Sequence, residues 1–299
     1  MNRTASNRTA SNWTVSNRTV SNWTTFRNGV FILLITGLAG CGPQPEGEPV
    51  LRTEIGSGIA EDISPKTGAD SACRKVTFEN VSFTHCTADP AIHRVTTDLG
   101  PDGGETPSKP YRSLANLSAN RGSDARLVAF AVNGGMFDGE GKPIGYYVED
   151  KDRKKELSRT DGPGNFHLKP NGVFFGTGSK WEVRTSDDFY RNIGDRPEFG
   201  TQSGPMLVIG GKLHPEIAEN GPSKAIRNGV GVDKDGRAHF IISDAPISFG
   251  QLARYYRDEL KTPNALFLDG NVSALWDPAG DRLDIGAPLG PLIVVEMKE

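Results

Sequence analysis

Histidine, cysteine, one-signed charge and long apolar runs are all scarce in this chain of 299 residues. The five histidines, His85, His93, His167, His214 and His239, show no H-x-H or H-E-x-x-H spacing, which excludes the usual zinc sites. No P-loop, no Gly-x-Gly-x-x-Gly dinucleotide fingerprint and no Gly-x-Ser-x-Gly elbow occurs. The net charge is only −3, from 34 basic and 37 acidic side chains. Four arginines (Arg3, Arg8, Arg18, Arg27) and no acid lie before Cys41, so the rest of the chain carries −7, a balance that excludes a nucleic-acid partner. What the chain does have is a hydrophobic content of 36%, enough for a real core.

The first 25 residues are a low-complexity repeat with Asn-x-Thr triplets beginning at Asn2, Asn7, Asn12, Asn17 and Asn22. Having neither apolar periodicity nor acidic residues, it cannot bury enough surface to fold alone, and it reads as a translated repeat. Residues 26–40 read as a signal peptide: Arg27, the apolar segment Gly29 to Gly37, then Leu38-Ala39-Gly40. The apolar segment is too short to span a bilayer. Leu-Ala-Gly-Cys resembles the bacterial lipoprotein box, which implies lipidation of Cys41 and a membrane anchor. With Gly42 following, that resemblance favours an envelope protein on the outer membrane, facing the periplasm. Residues 41–70 read as a Pro/Gly/Glu linker and 71–299 as the folded domain. Cys73 and Cys86 flank two strand-like runs, RKVTFEN and VSFTH. In an oxidising compartment they form either a disulfide across a hairpin or a free buried pair.

Strand-like runs appear at Val76 to Thr84, Leu127 to Val132, Gly172 to Phe175, Trp181 to Arg184, Pro205 to Ile209, Ile226 to Val232, Ala238 to Ser243, Ala265 to Leu268 and Leu292 to Val295. One helix is expected over Ser248 to Lys261, capped by Ser248 with Gln251 three residues on, and a shorter one over Ser113 to Leu117. The charge-dense stretch Glu149 to Arg159 reads as a solvated loop. The class is α+β: a single domain with a mostly antiparallel or mixed β-sheet core and a few helices.

Three strand-like runs end on a polar residue: AFAV on Asn133-Gly134-Gly135, FIIS on Asp244, and ALFL on Asp269-Gly270. Strand ends are where a rigid scaffold presents chemistry, and the glycines let a ligand approach backbone N–H groups. Arg227, followed by Asn228, lies in an otherwise apolar, glycine-rich run. It is either a ligand for phosphate or carboxylate, or a structural ion-pair partner of an aspartate. In Gln202-Ser203-Gly204-Pro205 the hydroxyl reads as a capping serine rather than a nucleophile. His239 sits in a strand and reads as structural, whereas His167 lies in a polar loop able to line a cleft.

NGGMF (Asn133 to Phe137), PIGYYVE (Pro143 to Glu149), DGPGNFHLKPNGVFF (Asp161 to Phe175), TQSGPMLV (Thr201 to Val208), IRNGVGV (Ile226 to Val232), HFIISDAPISF (His239 to Phe249) and NALFLDGNVSALW (Asn264 to Trp276) resemble, in order, motifs of the bacterial phosphodiester glycosidase family. That family is related to the enzyme that uncovers mannose 6-phosphate by removing N-acetylglucosamine from its phosphodiester. The resemblance implies hydrolysis of the bond between a sugar's anomeric carbon and a phosphodiester oxygen. It implies catalytic roles for Asp269, Asp244 and Arg227. By position Asn133, Gly134, Gly135, Gly204, Gly229 and Gly270 also fall on the family's motifs, and substrate contacts are expected from Asn133, Gly134, Gly135, Gln202, Ser203, Gly204, Asn228, Gly270, Ser273 and His167. This chain reads Asp269-Gly270-Asn271-Val272-Ser273 where the eukaryotic enzyme has a triple-glycine turn, and the bulkier turn argues against N-acetylglucosamine as the sugar.

A sugar-phosphate leaving group is a stable anion, so it hardly needs a general acid, and arginine can take that place. Arg227 and the N–H groups of the Asn133-Gly134-Gly135 turn are therefore expected to bind the departing phosphate. Asp269 or Asp244 is expected to activate water or stabilise the sugar carbon. No cofactor is required, although two aspartates offer the oxygen ligands that suit Ca²⁺ or Mg²⁺. The alternatives are a non-catalytic envelope lipoprotein that binds a glycan or phosphorylated polymer, and a metal-dependent phosphodiesterase.

Overall fold

The structure, a computed structural model, describes residues 70–101 and 109–299. The repeat, the signal-like segment, Cys41 and the linker up to residue 69 lie outside the described residues. The apolar runs of the remainder form three sheets, and every strand pairing in them is antiparallel among the described residues. The first has seven strands, in the spatial order Cys73–Phe78, Val81–Ala88, Ala238–Ser243, Asn228–Val232, Asn264–Phe267, Met206–Ile209 and Lys212–Leu213. The second runs Arg282–Leu283, Leu275–Asp277, Val128–Asn133, Leu292–Met297, His93–Asp98. The third runs Asp152–Lys155, Tyr147–Glu149, Phe199–Ser203, Gly172–Thr177, Lys180–Thr185.

Strand alternation explains how the layers assemble. In VAFAVN, Phe130 and Val132 enter a central core shared by all three sheets, while Ala131 packs with Leu114 and Leu117 of the helix Leu114–Asn120. In GVFFGT, Phe174 enters the same core, while Val173 and Phe175 meet Phe189 of the helix Ser186–Asn192. On the seven-stranded sheet Val230, Phe240 and Leu266 face the core, and Ile241, Ala265 and Phe267 pack with Leu252 of the helix Phe249–Arg254. Each sheet thus gives one face to the common core and hides the other under a helix. Strands buried on both faces read as continuous apolar runs, and each large side chain so placed contributes about 1.5–3 kcal/mol.

The helix capped by Ser248 is shorter than expected: Ser248 Oγ accepts the Gln251 N–H at 3.1 Å, but after Arg254 the chain widens into a π-turn over Tyr255–Glu259. The charge-dense stretch is not simply a loop. Tyr147–Glu149 and Asp152–Lys155 form a hairpin closed by Asp150 and Lys151, at φ 47° and 67°. Two positive φ values make this a primed turn, built here without the glycine that would have marked it. Glu79 and Asn80, at φ 46° and 62°, likewise split the run Val76 to Thr84 into two strands.

Cys73 lies directly across from Cys86 in that first hairpin, and the two are joined by a disulfide. The bridge fastens an edge strand to its neighbour, and with 13 residues of separation it is worth about 3 kcal/mol in the loop-closure account. Replacing both cysteines by serine is expected to lower Tm. Dithiothreitol should bring the wild-type Tm down to that of the variant and leave the variant unmoved, whereas a wild-type Tm insensitive to reduction would contradict the role.

Candidate active site

Arg227 and Asp269 meet at the end of one ladder. The register pairs Gly229 with Phe267, and the Leu268 N–H continues it by donating to the Asn228 carbonyl at 3.2 Å, so Arg227 stands across from Asp269. Arg227 lies on the helix-covered face of the seven-stranded sheet, its guanidinium over the rings of Phe249 and Phe267. Arg227 is 3% exposed. Its Nε donates to the Ile247 carbonyl at 2.9 Å, its Nη2 donates to the Ser223 carbonyl and Oγ, both at 3.1 Å, and its guanidinium lies 3.6 Å from the Phe249 ring centre. These hydrogen bonds use Nε and Nη2, and among the described residues the two Nη1 N–H groups have no acceptor. No ion pair to a carboxylate forms among the described residues, and burial alone lowers the arginine's pKa to about 10, so it stays charged at neutral pH.

Asp269 is equally isolated. Burial raises its pKa, and among the described residues the only hydrogen bond opposing this comes from the Asn271 N–H at 3.3 Å. Gly270 beside it has a steric reason: a Cβ there would come within 2.4 Å of the Phe267 ring and 3.5 Å of Arg227 Cα.

Asn133, Asn228 and Ser273 are brought together, but as the frame of the site. Asn228 Nδ2 donates to Asn133 Oδ1 at 2.8 Å across two sheets, and Asn133 Nδ2 donates to the Asp269 carbonyl at 2.9 Å. Asn133 Oδ1 also accepts the Ala274 N–H at 3.0 Å, and Ser273 Oγ donates to Asn228 Oδ1 at 3.2 Å. The expectation that the amides of the Asn133-Gly134-Gly135 turn bind phosphate is corrected, because these N–H groups already have partners. Asn133 N–H donates to the Ala274 carbonyl, Gly134 N–H to the Pro291 carbonyl at 2.7 Å, and Gly135 N–H to Thr201 Oγ1 at 3.0 Å. Gly135 is glycine because a Cβ would come 2.1 Å from the Gln202 carbonyl oxygen.

Asp244 is not part of this convergence. One residue past Ser243 it takes the opposite face, where Lys75 Nζ at 2.8 Å, Ser82 Oγ at 2.7 Å and Thr84 Oγ1 at 3.2 Å surround its carboxylate. Arg282 Nη1 lies 3.8 Å away. Burial raises its pKa, but these bonds outweigh burial and hold it below the usual carboxylate range. The Asp244 carboxylate is thus taken up by protein donors, and among the described residues no three His, Cys, Asp or Glu side chains converge. Gln202 is likewise corrected: its Oε1 accepts from the Tyr146 and Ser158 N–H groups, and its Nε2 donates to the Ser158 carbonyl and Ser186 Oγ. That amide knits loops and has nothing left for a ligand.

Ser203 is fully buried with no hydrogen-bond partner for its Oγ among the described residues, and Gly204 precedes a cis peptide to Pro205. His167 makes its contacts within its own loop, to the Thr160 carbonyl at 3.1 Å and edge-on to Phe166. Sequence reasoning missed Ser223, Ile247 and Phe249, which hold Arg227. Only the motif HFIISDAPISF, which ends on Phe249, hinted at them. A cavity of about 1020 Å³ lies near the start of the strand Val128–Asn133 and is lined by none of the candidate catalytic residues. A smaller one of about 230 Å³ touches Gly270, Asn271 and Ser273.

The fold and site define a three-sheet antiparallel protein whose buried, unpaired cation and acid share one strand-end position. Residues 127–284 match the family model described as phosphodiester glycosidase. The chain is 34% identical over 212 residues to a protein of Escherichia coli (strain K12) described as uncharacterized protein YigE, covering 71% of this chain and 81% of that one. The catalytic domain of zebrafish N-acetylglucosamine-1-phosphodiester alpha-N-acetylglucosaminidase, auto-inhibited by its pro-peptide, superposes with a TM-score of 0.51 at 16% identity, over 76% of this chain and 82% of that chain. A hypothetical protein from Synechocystis gives a TM-score of 0.47 at 13% identity, over 76% and 61%. The chain belongs to the phosphodiester glycosidase family.

The two aspartates have opposite linkage to stability. A raised native pKa means that Asp269 favours folding below its unfolded pKa and ceases to do so as pH rises through the native value. Asp269→Asn is therefore expected to raise Tm at pH 7, with the gain fading on acidification. The depressed pKa of Asp244 means that its contribution is present above the unfolded value and lost as pH falls, so Asp244→Asn should lower Tm at pH 7. Equal Tm shifts of the same sign across a pH series would contradict this division.

Proposed function

We propose that the protein hydrolyses the glycosidic C–O bond of a sugar-1-phosphodiester in the cell envelope. The observation that carries this reading is the pairing of position without pairing of charge: Arg227 and Asp269 lie across from each other, buried, and neither is neutralised. A buried guanidinium with free N–H groups is matched by a phosphate oxygen, which it binds through charge-assisted hydrogen bonds. The phosphate leaves as an anion held by Arg227, so no proton has to be delivered to it. Asp269, shielded from water, is placed to stabilise positive charge developing at the anomeric carbon or to activate the attacking water. Membership of the family supports the glycosidase reaction. The name of the zebrafish enzyme supports a sugar-1-phosphodiester as substrate class, and the bulkier turn after Asp269 favours a sugar other than N-acetylglucosamine. The lipobox-like segment ending at Cys41 supports a lipid anchor, and the Cys73–Cys86 bridge suits a periplasmic location on the outer membrane.

The test is incubation of the full chain with a panel of sugar-1-phosphodiesters. Free sugar and phosphomonoester are expected. Asp269→Asn should lower kcat by about 10²–10⁴-fold, the range of acid–base and charge-stabilising groups. Arg227→Lys should lower kcat/KM at least about tenfold, because a point charge does not reproduce the planar fork. Turnover of Asp269→Asn within a few-fold of wild type would remove its role. Binding without any turnover would instead support the glycan-binding alternative. Loss of activity in a chelator, restored by Ca²⁺ or Mg²⁺, would add a cation to the reaction.

A further inference from the structure

A second cationic cleft, of about 420 Å³, lies on the third sheet and is lined by Arg159, Lys169 and Arg191 over Asn171, Thr185 and Ser186. Asp187 is its one carboxylate. The floor is rigid: Asn171 and Ser186 are buried, the Ser186 N–H donates to the Asn171 carbonyl at 2.9 Å, and Ser186 Oγ accepts from Gln202 Nε2 at 3.0 Å. The cations are only weakly neutralised. Arg159 reaches Asp187 at 3.3 Å and Lys169 reaches Asp161 at 2.6 Å, but those carboxylate side chains are 64% and 93% exposed, so water screens both pairs. Arg191 forms no ion pair among the described residues. Three cations against one lining acid stand out in a chain whose overall charge is negative.

The floor of the cleft is connected to the proposed active site through a chain of contacts. Asn171 packs against Gly204, where an added Cβ would come 2.8 Å from Asn171 Cβ. The Pro205 carbonyl accepts the Phe267 N–H at 3.0 Å, two residues before Asp269. We propose that Arg159, Lys169 and Arg191 form an anion subsite that holds a second phosphate of an oligomeric sugar-phosphate substrate. The proposal rests on the hydrolase reading for its substrate class, while its charge and geometry stand independently of that reading. Arginine forks and a lysine ammonium around a polar floor match the several oxygens of a phosphate, and they supply affinity away from the bond that breaks.

The test titrates inorganic tripolyphosphate into the full-length chain by calorimetry, using wild type, Lys169→Ala/Arg191→Ala, and Lys180→Ala as an exposed cation outside the cleft. The double variant should weaken binding at least about tenfold, since each charge-assisted hydrogen bond is worth roughly that factor. Lys180→Ala should bind as wild type does. A kinetic arm compares a phosphodiester carrying one phosphate with an oligomer carrying two. The double variant should raise KM for the oligomer to the level of the single-phosphate substrate and leave kcat unchanged. Equal tripolyphosphate affinity in wild type and double variant would overturn the subsite, as would an equal loss in Lys180→Ala. If wild type hydrolyses no phosphodiester, the hydrolase reading fails and the titration alone still decides the subsite.

Discussion

A guanidinium buried without a counter-charge is the constraint on which the site depends. Removing an ion from water costs several kcal/mol, and a fold keeps such a group only when other contacts offset much of that cost. Around Arg227 the offset comes from the Ile247 and Ser223 carbonyls and from the ring of Phe249. The hydrogen bonds use two of the three guanidinium nitrogens, and among the described residues the third donates to no acceptor. Asp269 carries the complementary imbalance, a carboxyl pushed toward its neutral form by burial with one backbone N–H opposing. Two such groups would cancel if they met. Among the described residues their side chains form no ion pair, so both charges remain for the proposed reaction to use.

What fixes Asp269 in place is a run of amides joining the first two sheets. Asn228 reaches Asn133 across the sheets, Asn133 reaches the Asp269 carbonyl, and Ser273 closes the chain on Asn228. Every link is buried or nearly so, and a satisfied network of this kind rigidifies what it touches. The glycines of the neighbouring turn serve the same end by allowing the third sheet to press against the second, as the contact of Gly135 with the Gln202 carbonyl requires. The amides therefore hold the frame, separately from the two unpaired charges that the proposed reaction uses.

Strands buried on both faces were plain in the sequence, because runs such as VAFAVN and GVFFGT have no polar face to interrupt them. The strands His93–Asp98 and Phe199–Ser203 were not, since HRVTTD and FGTQS carry threonines and other polar residues that read as loop. The hairpin at Asp150-Lys151 escaped notice because its turn lacks glycine and asparagine. Within the site, Arg227 and Asp269 were legible as polar residues set in apolar runs. The misplacement of Asp244 shows where such reading ends: a strand end locates a residue along the ladder, and one step of alternation decides which face it serves. Gln202 was misread for a related reason, since the four bonds of its amide go to Tyr146, Ser158 and Ser186, three segments whose meeting no local pattern records.

The most direct measurement of the central claim is hydrolysis of a sugar-1-phosphodiester in water enriched in oxygen-18, with both products analysed by mass. A cation that holds the departing phosphate while the acid works at carbon requires the label in the anomeric hydroxyl of the sugar and none in the phosphomonoester. Label recovered in the phosphate would show attack at phosphorus and contradict the account.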